Sequence, residues 1–117
     1  MHINMLKCKI HRARVTDANL DYEGSVSIDP ALCEAAGLIP FEQVDIYNCN
    51  NGARFTTYVI YGQAGEICLN GAAARMAQVN DRVIICSYCS LDAQEARGHQ
   101  PRLVFVDDSN RQVIRAA

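Results

Sequence analysis

In Tyr22-Glu23-Gly24-Ser25 a serine hydroxyl follows a glycine, whose missing Cβ lets the chain bend sharply. If the Gly24 carbonyl is held within reach, that hydroxyl can attack it and move the acyl group from nitrogen to oxygen. The same pair also serves as an ordinary turn. Lys9-Ile10-His11 sets two ionisable side chains two residues apart, on one face of a strand. That face suits an anion and equally suits water, and a single strand histidine is commonly structural. In Arg54-Phe55-Thr56-Thr57-Tyr58, alternation puts Arg54, Thr56 and Tyr58 on one side and Phe55, Thr57 and Val59 on the other. A guanidinium grips a carboxylate bidentately and a phenol can give a proton, but an edge strand with a wet face has the same pattern. Asn70-Gly71-Ala72-Ala73-Ala74-Arg75 reads as a tight turn opening one helical turn. Its small residues suit a close-packed corner, and its exposed amides suit an anion.

The six cysteines are Cys8, Cys33, Cys49, Cys68, Cys86 and Cys89. Cys86-Ser87-Tyr88-Cys89 has the spacing of zinc and redox sites, yet no second pair with matching spacing accompanies it. Strand alternation would send Cys86 and Cys89 to opposite faces. No metal is expected, and the cysteines read as small buried hydrophobes. The segment from Met1 to Lys9 lacks the apolar run of a signal peptide, so reduced thiols in a cytoplasmic protein are the expectation. No phosphate-binding Gly-rich loop, Gly-x-Ser-x-Gly elbow or ligand-spaced His pair occurs.

These residues must be carried by short elements. Lys7 to Val15, Gly24 to Ile28, Gln43 to Cys49, Arg54 to Tyr61, Glu66 to Leu69, Arg82 to Tyr88 and Arg102 to Val106 read as strands, with Arg111 to Arg115 as a final edge. Asn50-Asn51-Gly52 predicts a hairpin in which both Asn51 and Gly52 take positive φ. Asp29 to Gly37 predicts a helix, with Asp29 as its cap, Pro30 in the first turn and Gly37 as its left-handed stop. Asp92 to Gly98 predicts a short polar helix. Many short strands with minor helices point to a mainly β fold, a small barrel or orthogonal sandwich.

With 117 residues, half of them hydrophobic and 21% charged, the chain is expected to form one globular domain over residues 1–117. A net charge of -2 without basic runs argues against a nucleic-acid partner. No apolar stretch approaches the roughly 20 residues of a membrane span. So small a domain buries a limited share of its surface, and a second subunit is a natural way to complete a site.

Taken in order, Lys9-Ile10-His11-Arg12, Thr16-Asp17-Ala18-Asn19-Leu20, Tyr22-Glu23-Gly24-Ser25 and Ile28-Asp29 resemble the N-terminal region of the aspartate 1-decarboxylase family. Asn51-Gly52-Ala53-Arg54-Phe55-Thr56-Thr57-Tyr58 and Asn70-Gly71-Ala72-Ala73-Ala74 resemble its other signature segments, so the likeness spans nearly the whole chain. It implies a six-stranded double-psi β-barrel with short helices, assembled as a homotetramer. It also implies a proenzyme that cleaves itself between Gly24 and Ser25 into residues 1–24 and 25–117, with Thr57 stabilising the oxyanion at Gly24. Ser25 then becomes a pyruvoyl group, the cofactor, which forms a Schiff base with L-aspartate. The product is β-alanine, for pantothenate and coenzyme A biosynthesis. Carried over by position, Lys9 and Arg54 hold substrate carboxylate and Tyr58 protonates the decarboxylated intermediate. Thr57, Asn70, Gly71, Ala72 and Ala73 bind substrate, while His11, Tyr22, Tyr47 and Ile84 shape the pocket. Tyr47 stands where some relatives carry Trp, and the cysteines are no part of the pattern. The resemblance leaves open an accessory maturation factor. Two other classes compete: a binding module with a Gly-Ser turn, which would stay one intact chain, and a thiol or zinc protein centred on Cys86 and Cys89.

Overall fold

The computed structural model describes residues 1–114. The fold is mainly β. Among the described residues nine strands run as β1 (His2–Arg14), β2 (Asp17–Asn19), β3 (Ser25–Ile28), β4 (Gln43–Asn48), β5 (Arg54–Tyr61), β6 (Ile67–Asn70), β7 (Arg82–Asp92), β8 (Arg102–Val106) and β9 (Gln112–Val113). Helix α1 (Pro30–Ala36) follows β3, a 3-10 turn over Gly71–Met76 follows β6, and helix α2 (Ala93–Arg97) follows β7. The strands hydrogen-bond in the order β2-β6-β3-β5-β4-β7-β1-β8-β9. Three neighbouring pairs are parallel, namely β1 with β8, β2 with β6 and β3 with β5, and the other five are antiparallel.

The burial of each strand follows from its place in that order. Every residue of β3 and of β6 is buried, because both strands are covered on both faces. Ile10, Val15, Val26, Ile28, Val44, Ile46, Val59, Ile67, Leu69, Val83 and Ile85 form the core, each at most 1% exposed. Strand β1 is longer than the segment from Lys7 because its first residues pair with the far end of β7, His2 opposite Asp92. Its register shifts between Ile10 and Ala13, where Arg12 takes φ 59°. Strand β2 has no β-branched residue to announce it and exists through its pairing with β6. At the far end, β9 covers Gln112–Val113, and Arg115 lies outside the described residues.

Helix α1 has the predicted caps. Asp29 accepts from the Ala31 amide at 2.8 Å and, with its other oxygen, from the Gly65 amide at 2.8 Å. Gly37 ends the helix at φ 76°, returning its amide to the Cys33 and Glu34 carbonyls. Lys7 Nζ then reaches the Gly37 carbonyl at 2.9 Å and Glu42 at 2.7 Å, and the Ser87 hydroxyl donates to the same Glu42 oxygen at 2.7 Å. The hairpin differs from its prediction: only Gly52 is left-handed, at φ 77°. The loop is longer than a two-residue turn, because Asn48 accepts from the Asn50 amide at 2.8 Å and Asn51 accepts from the Ala53 amide at 2.8 Å. The two asparagine side chains brace a loop that the backbone also closes, the Gly52 amide donating to the Asn48 carbonyl and the Asn48 amide to the Ala53 carbonyl, each at 2.9 Å.

Cys8, Cys33, Cys68 and Cys86 are buried, as packing requires, and Cys89 is half-buried. Burial, with Asp29 nearby, pushes the Cys33 thiol up to about 12. Cys49 corrects the expectation: it is exposed, because it sits one residue past β4 where the chain leaves the ladder. Among the described residues no helix is long and apolar enough to cross a membrane.

Candidate active site

The turn over residues 20–24 delivers Ser25 into the first position of β3, where it is 1% exposed. A buried hydroxyl must find partners. Ser25 Oγ donates to the Glu23 carbonyl at 3.0 Å and accepts from Asn70 Nδ2 at 2.9 Å. Ser25 and Asn70 face each other in the antiparallel β3–β6 register. Asn70 Nδ2 also donates to Ser27 Oγ at 3.0 Å, and Asn70 Oδ1 accepts from Cys68 Sγ at 3.2 Å. Asn70 stands at the cap position of the 3-10 turn, yet its side chain makes no cap bond. It is committed to the serines instead.

Gly71 explains the approach of the two segments. Its φ is +63°, and a Cβ there would lie 2.7 Å from Gly24 Cα, 2.8 Å from Gly24 N and 3.1 Å from the Tyr22 carbonyl. Only glycine permits both that backbone and that contact. Gly24 itself does not use the freedom expected of it: its φ is not left-handed, and a Cβ on it would meet nothing within 4 Å. The steric demand for glycine at this junction falls on Gly71.

A cavity of about 470 Å³ opens here, lined by Gly24, Phe55, Thr56, Thr57, Tyr58, Asn70, Ala72, Ala73 and Met76. Extending the parallel β3–β5 register from Val26 opposite Val59 places Gly24 level with Thr57. Tyr58 also touches Phe41, ring to ring at 6.2 Å. The structure therefore brings Gly24, Ser25, Thr57, Tyr58, Asn70, Gly71, Ala72 and Ala73 together.

It sets a second group apart. Lys9, Cys86 and Asp45 lie in one row across β1, β7 and β4 that continues into Thr56 of β5, and Ile84, Tyr47 and Arg54 lie two positions along the ladder from it. The Arg54 guanidinium sits 3.9 Å from the centre of the Tyr47 ring, a cation-π contact. The Tyr47 and Tyr88 hydroxyls meet at 2.9 Å, and Thr56 donates to Asp45 at 2.7 Å. Burial pushes the Cys86 thiol up, against the pull of the Tyr88 hydroxyl and the Lys9 charge. Beside this group lies a polar cavity of about 330 Å³ between Asn4, Gln43, Asp45, Cys86, Tyr88 and Ser90. Neither Lys9 nor Arg54 lines the cavity that holds Gly24. His11 lies against Phe105, ring centroids 5.7 Å apart, and Tyr22 is 53% exposed in the turn before Gly24. Neither reaches that cavity within one chain.

Cys68 and Ser27 escaped the reading of the sequence. Each lies two residues from a flagged residue, Cys68 from Asn70 and Ser27 from Ser25, so period-two alternation puts each pair on one face. Only the β3–β6 pairing shows that the two faces coincide. Among the described residues, no group of three or more His, Cys, Asp or Glu side chains is placed to hold a metal ion.

Comparison with known proteins converges on one family. The family described as Aspartate decarboxylase matches residues 1–113. An aspartate 1-decarboxylase of Bdellovibrio bacteriovorus is 64% identical over 111 residues, which is 95% of this chain and 90% of that protein. Aspartate 1-decarboxylases of Clostridium acetobutylicum and Caldicellulosiruptor saccharolyticus are 59% and 58% identical, over 94% and 95% of this chain and 88% of each relative. With the match running through both the Gly24–Ser25 junction and the Asn70–Gly71 corner, the chain belongs to the aspartate decarboxylase family.

Proposed function

We propose that this chain removes the α-carboxylate of L-aspartate to give β-alanine and CO2, after cleaving itself between Gly24 and Ser25. One observation carries the reading: a serine hydroxyl 1% exposed, tied to Asn70, beside a glycine that lines a cavity with Thr57 and Tyr58. Relatives bearing the name aspartate 1-decarboxylase over nearly the whole chain support the substrate.

In the self-cleavage, Ser25 Oγ adds to the Gly24 carbonyl carbon and the C–N bond breaks. The hydroxyl proton passes to the freed amine and an ester joins the two segments. Thr57 is the donor for the oxyanion that forms at Gly24. Loss of the residue-25 Cα proton then breaks the Cβ–Oγ bond, leaving a carboxylate on Gly24 and dehydroalanine at position 25. Asn70 Nδ2, already donating to Oγ, favours the charge that collects on that oxygen as it departs. Water releases ammonia and leaves a pyruvoyl group on the chain 25–117.

The residues fit such a group, because Asn70 faces residue 25 across the β3–β6 ladder and the cavity beside it is lined by small Ala72 and Ala73. When present, it supplies an electrophilic carbonyl that takes up the substrate amine and the electrons released with CO2. Thr57, Asn70, Gly71, Ala72 and Ala73 hold the substrate beside it. Tyr58 gives the proton that replaces the lost carboxylate. Lys9 and Arg54 take substrate carboxylate, and His11, Tyr22, Tyr47 and Ile84 bound the pocket. Since Lys9 and Arg54 stand apart from the Gly24 cavity within one chain, the reading has a second copy complete the site, within a homotetramer of six-stranded double-psi β-barrels. A cytoplasmic place in pantothenate biosynthesis belongs to the same reading. The test is CO2 release from L-aspartate by the purified protein, expected for the wild type and abolished in Ser25→Ala. A Ser25→Ala protein that still released CO2 would sink it.

A further inference from the structure

Asn70 controls the Ser25 hydroxyl, and its own orientation is set from its other end. A primary amide can be turned over with almost no change of shape, so its partners decide which end carries the N–H groups. Ser25 Oγ spends its hydrogen on the Glu23 carbonyl at 3.0 Å, so from Asn70 it can only accept. That requirement turns the NH2 end toward Ser25, and the second amide hydrogen goes to Ser27 Oγ at 3.0 Å. Oδ1 then faces the Cys68 thiol at 3.2 Å, while the thiol's other acceptor, the Leu69 carbonyl, is at 3.9 Å. Turned over, Asn70 would set an N–H against a thiol and its oxygen against a serine with no hydrogen left to give. Burial, helped by Asp17 and Glu66, pushes the Cys68 thiol up, so it keeps at neutral pH the proton that it donates. With Cys68 at 5%, Asn70 at 2%, Ser25 at 1% and Ser27 at 8% exposure, water has little access to replace any of these bonds.

We propose that Cys68 is a positioning residue for cleavage at Gly24–Ser25: its S–H holds the Asn70 amide in the one orientation that presents an N–H to the Ser25 oxygen. The inference rests on the self-processing reading and makes Cys68 act through Asn70 rather than on the scissile bond. A serine at position 68 keeps the donor, and an alanine removes it.

The experiment follows freshly synthesised chains by intact mass over time. Cys68→Ala is expected to cleave about tenfold more slowly than wild type, the order of one buried hydrogen bond. Cys68→Ser is expected near the wild-type rate. In an Asn70→Ala background Cys68→Ala adds no further slowing, because the residue through which it acts is gone. Wild-type rates in Cys68→Ala, or a full further slowing in the double variant, overturn the inference. A second arm uses the uncleavable Ser25→Ala chain and hydrogen exchange at the Asn70 side-chain amide. There Cys68→Ala speeds exchange and Cys68→Ser does not. A wild-type chain that never cleaves defeats the self-processing reading through the mass arm. Unchanged amide exchange in Cys68→Ala defeats this inference by itself.

Discussion

At the scale of the residue, the Gly24–Ser25 junction is governed by its neighbour across the ladder. Gly71 presses its bare Cα against Gly24, at a left-handed φ of +63°. Gly71→Ala adds a Cβ 2.7 Å from Gly24 Cα and strains the backbone by roughly 1–2 kcal/mol before any clash is counted. We expect a thermal midpoint lowered by several degrees and markedly slower appearance of the two fragments. Gly24→Ala places its Cβ in open space and is expected to fold with a midpoint close to that of the wild type. Equal melting curves for both variants would contradict this assignment of the steric demand. The motif residues were legible because glycine, serine and asparagine announce chemistry by type. The demand on Gly71 was not, since it arises from a contact with a segment more than forty residues earlier.

At the scale of the element, what could be read is what is local. The α1 caps depend on Asp29, Pro30 and Gly37, which lie within the helix or one residue from it, and all appeared where the sequence put them. Cross-strand facts are different: β2 exists because β6 lies beside it, and the Cys68–Asn70 face acquires meaning only opposite Ser25 and Ser27. Asp29 shows both kinds of fact in one side chain. Its cap to Ala31 is readable, whereas its bond to Gly65 is a tertiary staple between α1 and the loop before β6. Asp29→Ala loses both and is expected to destabilise by about 2–3 kcal/mol. Asp29→Asn keeps the cap, turns a donor toward the Gly65 amide, and is expected to fall between. Urea unfolding checks the order; an alanine variant as stable as wild type would contradict it.

At the scale of the whole molecule, Glu42 joins three parts of the fold. Burial would raise its carboxyl, but bonds from Lys7, Ser87 and the Ile39 amide outweigh that and hold it below the ordinary carboxylate range. A carboxyl lowered in the folded state binds its proton less readily than in the unfolded chain. Its contribution is therefore complete above the ordinary carboxylate range and fades as pH falls through the folded value. Melting followed from neutral to acid pH should show a decline that Glu42→Gln flattens, with the variant less stable at pH 7. An identical acid-side slope in both proteins would contradict the role given to Glu42.

The separation of Lys9 and Arg54 from the Gly24 cavity also belongs to this scale: in one chain neither lines it, although the row of Lys9, Cys86 and Asp45 runs on into Thr56, which does. Everything proposed for catalysis begins with the bond between residues 24 and 25. The most direct measurement is the intact mass of the purified protein. Two polypeptides are expected, residues 1–24 and 25–117, the larger lighter by one ammonia than a chain that begins with serine and blocked to N-terminal sequencing. A single uncut chain that nonetheless converts L-aspartate to β-alanine would contradict this.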